Sequence, residues 1–88
     1  MNRYRLYLTS GALRDLQRLK QIPAVYVRIR DAIKELEEDP RPVPSKQLRD
    51  RHGQRTRRMG DYRIVYLVDD QERSVTVVAV AHTKDVYR

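Results

Sequence analysis

Two apolar runs in the C-terminal half restrict the fold of this chain more than any other feature. Residues 62–68 and 75–81 are rich in Val, Ile, Leu, Tyr and Ala, and apolar residues occupy both the odd and the even positions. Strands that are apolar on both faces lie in the middle of a sheet, where both faces are covered. The polar segment 69–73 joins the two runs and predicts a hairpin loop. The sequence therefore predicts a pair of central antiparallel strands.

The segments before this hairpin predict two further strands and a first helix. Residues 54–59 have the length of a strand and end at a Gly-Asp pair, which is typical of a tight turn. Residues 4–8 alternate between the two faces of a short strand. Ser10 is the predicted N-cap of a helix that continues to Leu19.

A second helix is predicted after Pro23, which suits the first turn of a helix. Its apolar stripe, spaced at i, i+4, i+8 and i+11, consists of Val25, Ile29, Ile33 and Leu36. Three prolines within residues 40–44 prevent the helix from continuing. The predicted order is β-α-α-β-β-β, an α+β fold in which a helical hairpin packs on one face of a small antiparallel sheet. We expect residues 1–88 to form a single domain.

The chain is strongly basic, which points to a polyanionic partner. It has 19 Lys and Arg residues against 12 Asp and Glu residues, for a net charge of +7, and 15 of the 19 are Arg. Residues 46–63 alone hold seven basic and two acidic residues. Without Cys and with two His, the sequence predicts no disulfide and no zinc centre. Without a long apolar segment, it predicts no membrane span and no signal peptide, and we expect a cytoplasmic location.

Arg63 is the most informative single residue, because the rest of its strand consists of Tyr, Ile, Val and Leu. Alternation puts Arg63 on the face that it shares with Val65 and Leu67, away from the helices. An unpaired arginine buried there would cost several kcal/mol, so Arg63 either snorkels to an edge of the sheet or meets an anion, which is a carboxylate of the protein or a bound ligand. A guanidinium group suits a phosphate ligand well. The candidate carboxylates for a structural pairing are Asp61, Asp69 and Asp85.

Two other segments could contribute to a site. In strand geometry Arg55 and Arg57 point to one side and Arg58 to the other. Such a run is either a solvated edge that resists aggregation or a surface for a polyanion backbone. Near the C-terminus, His82 is either a surface residue at a strand end or an acid or base, and Tyr87 either covers the sheet edge or stacks on a nucleic-acid base.

Several of these features together resemble a known family. The run Arg-Met-Gly-Asp-Tyr-Arg at 58–63 is followed by Asp69-Asp70 and by a Val-rich strand that leads to Val-Tyr-Arg at 86–88. This combination resembles the RelE toxins of the RelE/ParE superfamily. The strand-helix-helix start and Lys46-x-Leu48 also fit, so the resemblance covers essentially the whole chain.

The resemblance implies the toxin component of a type II toxin–antitoxin system. Such a toxin is a ribosome-dependent mRNA interferase, an endoribonuclease that enters the ribosomal A site and cleaves mRNA by attack of a ribose 2′-hydroxyl on the neighbouring phosphate. It requires no metal and no cofactor. The resemblance also implies a cognate antitoxin that binds the toxin in a hetero-oligomer. The net charge of +7 predicts that this partner wraps the toxin with an acidic, amphipathic segment.

Matched by position, the resemblance implies that Arg63 contacts the phosphate, that Arg58 is the basic residue of the Arg-x-Gly turn and that Tyr87 orients the substrate base. The lysines that well-studied members carry on the preceding strand fall here at about Gln54 and Thr56. The predicted catalytic residues are Arg63, Tyr87, Arg58 and His82. The predicted RNA-binding residues are Arg55, Arg57, Lys46, Arg49 and Lys84.

The role of general base stays open between His82 and Tyr87, because arginine is a poor proton acceptor. In the segment that follows His82, Thr83 replaces an arginine that is common in the family. Two alternatives to the mRNA interferase also remain. One is a ParE-type toxin that inhibits DNA gyrase by binding it without catalysis, and the other is a basic RNA-binding module without activity.

Overall fold

The computed structural model describes residues 3–40, 46–47 and 53–82, and these residues form two helices and one sheet. The predicted order of elements is confirmed, with one short strand, β2, in addition. None of the described helices is long and apolar enough to cross a membrane. The elements are β1 (Arg5–Leu8), α1 (Ser10–Leu19), α2 (Pro23–Glu35), β2 (Lys46–Gln47), β3 (Arg55–Met59), β4 (Tyr62–Asp69) and β5 (Ser74–His82).

The sheet has the strand order β1-β5-β4-β3-β2. Strands β2 to β5 pair in antiparallel fashion, and β4 and β5 lie inside the sheet as predicted. β1 pairs with β5 in parallel, so the sheet is mixed where a purely antiparallel one was expected. The alternation of residues 4–8 reveals a strand but carries no information about the direction of its neighbour, which explains the difference.

The core lies between the helical hairpin and one face of the sheet, which we call the inner face. From the predicted stripe of α2, Ile29 and Ile33 are buried, Leu36 is buried just after the helix, and Val25 is partly buried. On β4, Ile64 and Tyr66 are fully buried against the helices. The prediction for the two faces of β4 is therefore confirmed, and its alternate residues lie on the opposite, outer face.

The N-cap of the first helix lies one residue earlier than predicted. Thr9, not Ser10, is the N-cap: its Oγ1 accepts a hydrogen bond from the backbone N–H of Ala12 at 3.1 Å. Ser10 is the first residue of the helix. Both residue types are good caps, so the sequence did not distinguish them.

The turn between β3 and β4 consists of Gly60 and Asp61, because Met59 pairs with Tyr62. Gly60 has a φ of 61°, a conformation that a residue with a Cβ adopts only at a cost. The glycine therefore allows β3 and β4 to remain paired up to Met59 and Tyr62. The loop between β4 and β5 is also where it was predicted, and Asp69 Oδ1 accepts from Glu72 N there at 3.0 Å.

Candidate nucleic-acid interface

Arg58 and Arg63 lie directly opposite each other on β3 and β4. On the other side of β4, Arg63 is opposite Ala81 of β5. Residues opposite each other in antiparallel strands present their side chains on the same face. Since Ile64 faces the helices, Arg58 and Arg63 both belong to the outer face. Two guanidinium groups at opposed positions on one face can both donate hydrogen bonds to a single bound anion.

The two arginines differ in how they are held. Arg58 is exposed, and its Nε donates a hydrogen bond to the carbonyl oxygen of Gly60 at 3.0 Å. This bond ties the guanidinium group to the β3–β4 turn. Arg63 is half-buried in the middle of the sheet, with Ala81 as its neighbour on β5. The small alanine side chain leaves the guanidinium group of Arg63 room on this face.

The next row of the outer face is apolar or weakly polar. Thr56 of β3 lies opposite Val65 of β4, which in turn lies opposite Ala79 of β5. Thr56 is 3% exposed, and its Oγ1 has no hydrogen-bond partner among the described residues. Lys46 of β2 has its Cα opposite that of Thr56. The outer face thus has a row of two arginines beside a row that contains no charged residue on β3, β4 or β5.

Arg57 serves the inner face instead. Its Nη1 donates to the carbonyl oxygen of Ala32 at 3.1 Å, and its Nη2 lies 2.7 Å from Glu35 Oε2. Its side chain is 17% exposed. Arg57 therefore ties β3 to the C-terminal turn of α2. Arg55 lies on the same side of β3, opposite Tyr66, and is half-buried, so the predicted division between Arg55 and Arg57 on one side and Arg58 on the other is confirmed.

His82 does not lie beside the arginine pair. It is opposite Tyr62, and the two rings meet edge to face with centroids 5.3 Å apart and an interplanar angle of 73°. Tyr62 packs against the core on the inner face, so His82 and Arg63 lie on opposite faces of the sheet. Sequence alternation alone could not reveal this, since residues 75–81 are apolar on both faces.

The remaining predicted residues are placed only in part. Lys46 lies in β2. Arg49, Lys84 and Tyr87 lie outside the described residues. Within the described part of the chain, no group of three or more His, Asp or Glu side chains could hold a metal ion.

The comparisons with known proteins agree with this architecture. The family model for the ParE toxin of the type II toxin–antitoxin system parDE matches residues 6–87. Toxin RelG of Mycobacterium tuberculosis is 34% identical over 86 residues, which cover 97% of this chain and 97% of RelG. Toxin RelE of the same organism is also 34% identical over 86 residues, which cover 97% of this chain and 87% of that toxin.

Solved structures show the same fold. A chain of the RelBE2 toxin–antitoxin complex from M. tuberculosis has a TM-score of 0.78 and 30% identity, over 91% of this chain and 98% of that one. A chain of the E. coli RelBE toxin–antitoxin complex has a TM-score of 0.75 and 26% identity, over 90% and 95% of the two chains. From the family match over residues 6–87 and the relatives aligned along nearly their whole length, the chain belongs to the RelE/ParE superfamily of toxins from type II toxin–antitoxin systems.

Proposed function

We propose that this toxin is a RelE-type mRNA interferase, which cleaves mRNA in the ribosomal A site by attack of a 2′-hydroxyl on the adjacent phosphodiester. The bond from phosphorus to the 5′-oxygen breaks, which leaves a cyclic 2′,3′-phosphate, and the 5′-oxygen takes up a proton as the 2′-hydroxyl loses one. The observation that carries the proposal is the pairing of Arg58 with Arg63 on the outer face of the sheet. The two curated relatives named RelG and RelE, each 34% identical to this chain, support the RelE branch.

The proposed role of the arginine pair is electrostatic. As the 2′-oxygen attacks, negative charge grows on the non-bridging oxygens of the phosphate, and donors that are already in place stabilise it. Arg63 lies on β4, which has a neighbouring strand on each side, and Arg58 is held by its hydrogen bond to the carbonyl oxygen of Gly60. The repulsion between the two guanidinium groups in the free protein is relieved when the phosphate binds between them.

Proton transfer needs a different group, because a guanidinium group stays protonated. The His82 ring packs against Tyr62 on the inner face, away from Arg63. We therefore favour Tyr87 over His82, and propose that Tyr87 orients the substrate base and takes part in proton transfer at the 2′-hydroxyl.

Arg55 lies on the inner side of β3, opposite Tyr66, so we assign it no contact with RNA. Lys46, Arg49 and Lys84 would hold the backbone of mRNA and ribosomal RNA, so binding would weaken as salt rises. Arg57 was predicted to do the same, but its contacts with Ala32 and Glu35 favour a tether between β3 and α2.

We also propose that a cognate antitoxin inhibits this toxin with an acidic, amphipathic segment. A groove of about 250 Å³ runs between β1, α1 and α2, and half of the residues that line it are leucine or isoleucine. Among them, Leu8 and Leu13 are 38% and 48% exposed. Lys20, Arg30 and Lys34 also line it. An amphipathic helix with acidic flanks matches an apolar groove with basic borders. The toxin–antitoxin complexes among the similar structures support this partner.

The direct test is to compare Arg63→Ala and Tyr87→Phe with the wild-type toxin in a growth assay and in cleavage of mRNA on translating ribosomes. We expect both variants to lose toxicity, and Arg63→Ala to cleave about 100-fold or more slowly, as when a transition-state donor is removed. Arg14→Ala is the matched control, because it removes one exposed arginine of α1 and leaves the outer face intact. If both site variants remain fully toxic and cleave normally, the proposal is wrong.

A ParE-type gyrase inhibitor is the second candidate, because the matching family model is that of ParE. The two functions differ in the process that stops first after expression of the toxin. An mRNA interferase stops translation first and creates new 5′ ends within translated codons. A gyrase inhibitor stops DNA replication first and leaves mRNA intact.

A further inference from the structure

Strand β5 contains an irregularity that changes which residues face the helices. Val65 of β4 pairs with Ala79, whereas the next residue, Tyr66, pairs with Val77. Val78 is therefore an extra residue without a partner of its own on β4, which is a β-bulge. We refer to it as the β5 bulge.

The burial of β5 follows the bulge. Val75 and Val77 are fully buried in the core between sheet and helices, and the next core residue of the strand is Val80. Strict alternation would have continued at Ala79 and Ala81. After the bulge, these two alanines lie opposite Val65 and Arg63 on the outer face instead.

Two side chains hold the bulge, one from the N-cap of α1 and one from the middle of that helix. Thr9 Oγ1 donates to the carbonyl oxygen of Val78 at 3.1 Å, and Asp15 Oδ2 accepts from the N–H of Val80 at 3.0 Å. The backbone N–H of Thr9 also donates to the carbonyl oxygen of Val77 at 3.0 Å. Backbone groups of β5 on both sides of the bulge thus find partners on Thr9 and Asp15, as buried polar groups require.

Asp15 is placed to form the stronger of the two side-chain bonds. Its carboxylate makes a charge-assisted bond to the Val80 N–H, and its side chain is only 26% exposed. Arg18 lies 3.9 Å from Asp15 Oδ1, at the outer limit of an ion pair, with its own side chain 73% exposed. The contact with Val80 is therefore the tighter constraint on this carboxylate.

The bulge determines what lies beside Arg63. If β5 lost it, residues 79–82 would exchange faces, as a slip of one residue does in any strand. Val80 and His82 would then face outward, and Val80 would replace Ala81 as the residue opposite Arg63. The larger, branched valine side chain would occupy the space beside the guanidinium group, and His82 would lose its contact with Tyr62.

We propose that Asp15, assisted by Thr9, is a positioning residue of this toxin: it fixes the β5 bulge and thereby keeps Ala81 beside Arg63 on the outer face. The part of this inference that concerns cleavage rests on the proposed ribonuclease function. Neither residue touches the outer face, so the effect passes through the register of β5.

The test combines structure and kinetics on the full chain. Asp15→Ala removes the acceptor, and Asp15→Asn keeps an oxygen in place. Arg18→Ala removes the ion pair and leaves the bond to Val80. Thr9→Val and Thr9→Ser form a second pair, in which serine retains the hydroxyl. Hydrogen exchange of the Val80 amide and the nuclear Overhauser effect between the rings of Tyr62 and His82 report the register.

In Asp15→Ala we expect the Val80 amide to exchange at least about tenfold faster and the Tyr62–His82 effect to weaken or vanish. On translating ribosomes, kcat should fall about tenfold with KM within about twofold of wild type, since small misplacements near a reacting group are costly. Asp15→Asn, Thr9→Ser and Arg18→Ala should stay within about threefold of wild type.

The inference is overturned if Asp15→Ala retains both the slow Val80 amide and the Tyr62–His82 effect, or if Arg18→Ala loses as much activity as Asp15→Ala. It is also overturned if the register changes and the cleavage rate does not. If the wild-type toxin itself does not cleave mRNA, the proposed function has failed. The Val80 amide and the Tyr62–His82 effect then still decide whether Asp15 holds the bulge.

Discussion

Arg57 and Arg58 are neighbours in sequence, yet they belong to different parts of the molecule. Arg57 points to the inner face and binds the carbonyl of Ala32 and the carboxylate of Glu35. Arg58 points to the outer face, opposite Arg63, and is exposed. The pleat of β3 therefore divides one basic run into a structural residue and a candidate ligand-binding residue. The basic run in the sequence shows where the charged strand lies, and the face to which each arginine points determines its role.

The largest expected difference in stability between substitutions on the two faces is on β4, where Ile64 and Arg63 are adjacent. Ile64→Ala should reduce the free energy of unfolding by about 2–5 kcal/mol, because it leaves a cavity in a fully buried position. Arg63→Ala should reduce it by about 1 kcal/mol or less. Urea unfolding followed by circular dichroism measures both. Equal losses in the two variants would contradict the assignment of the faces.

A smaller difference is expected on β3. Arg57→Ala should reduce the free energy of unfolding by about 1–2 kcal/mol, chiefly through the lost bond to Ala32, since Glu35 is largely exposed and its ion pair contributes little. Arg58→Ala should change it by about 0.5 kcal/mol or less, and can stabilise the fold by removing a repulsion with Arg63. The same unfolding series tests this order, and a larger loss in Arg58→Ala would reverse the comparison.

The third stability comparison concerns the turn that joins these strands. Gly60→Ala should cost about 1 kcal/mol, because a Cβ disfavours the φ of 61° that the turn requires. The added methyl group has open space around it, so the cost is conformational and not steric. Gly11→Ala is the control, since that helical glycine has no positive φ and should tolerate the change. A larger loss at Gly11 in urea unfolding would contradict this explanation.

Much of the fold could be predicted because it depends on patterns that the sequence displays directly. The apolar stripe of α2 and the alternation of Tyr62, Ile64 and Tyr66 reveal which sides are buried. The parallel pairing of β1 and the bulge at Val78 could not be predicted. The direction of a strand does not affect its alternation of apolar and polar residues. Because β5 is apolar on both faces, a bulge that exchanges the faces of its last residues does not alter the sequence pattern.

The candidate site was predictable to the same extent. The outward direction of Arg58 and Arg63 follows from alternation within β3 and β4, and both strands were found from sequence. The role of Arg57 depends on a carbonyl oxygen of α2, which no local pattern reveals. The inner position of His82 depends on the β5 bulge and hence on Asp15, a residue 67 positions away that gave no signal as part of a site.

The most direct test of the central claim is the rate of mRNA cleavage on translating ribosomes for Arg57→Ala, Arg58→Ala and Arg63→Ala, each corrected for its folded fraction. All three variants lose one positive charge from the same sheet. The account predicts that Arg58→Ala and Arg63→Ala each slow cleavage about 100-fold, while Arg57→Ala stays within about threefold of wild type. An equal loss in all three, or normal cleavage by Arg63→Ala, would contradict it.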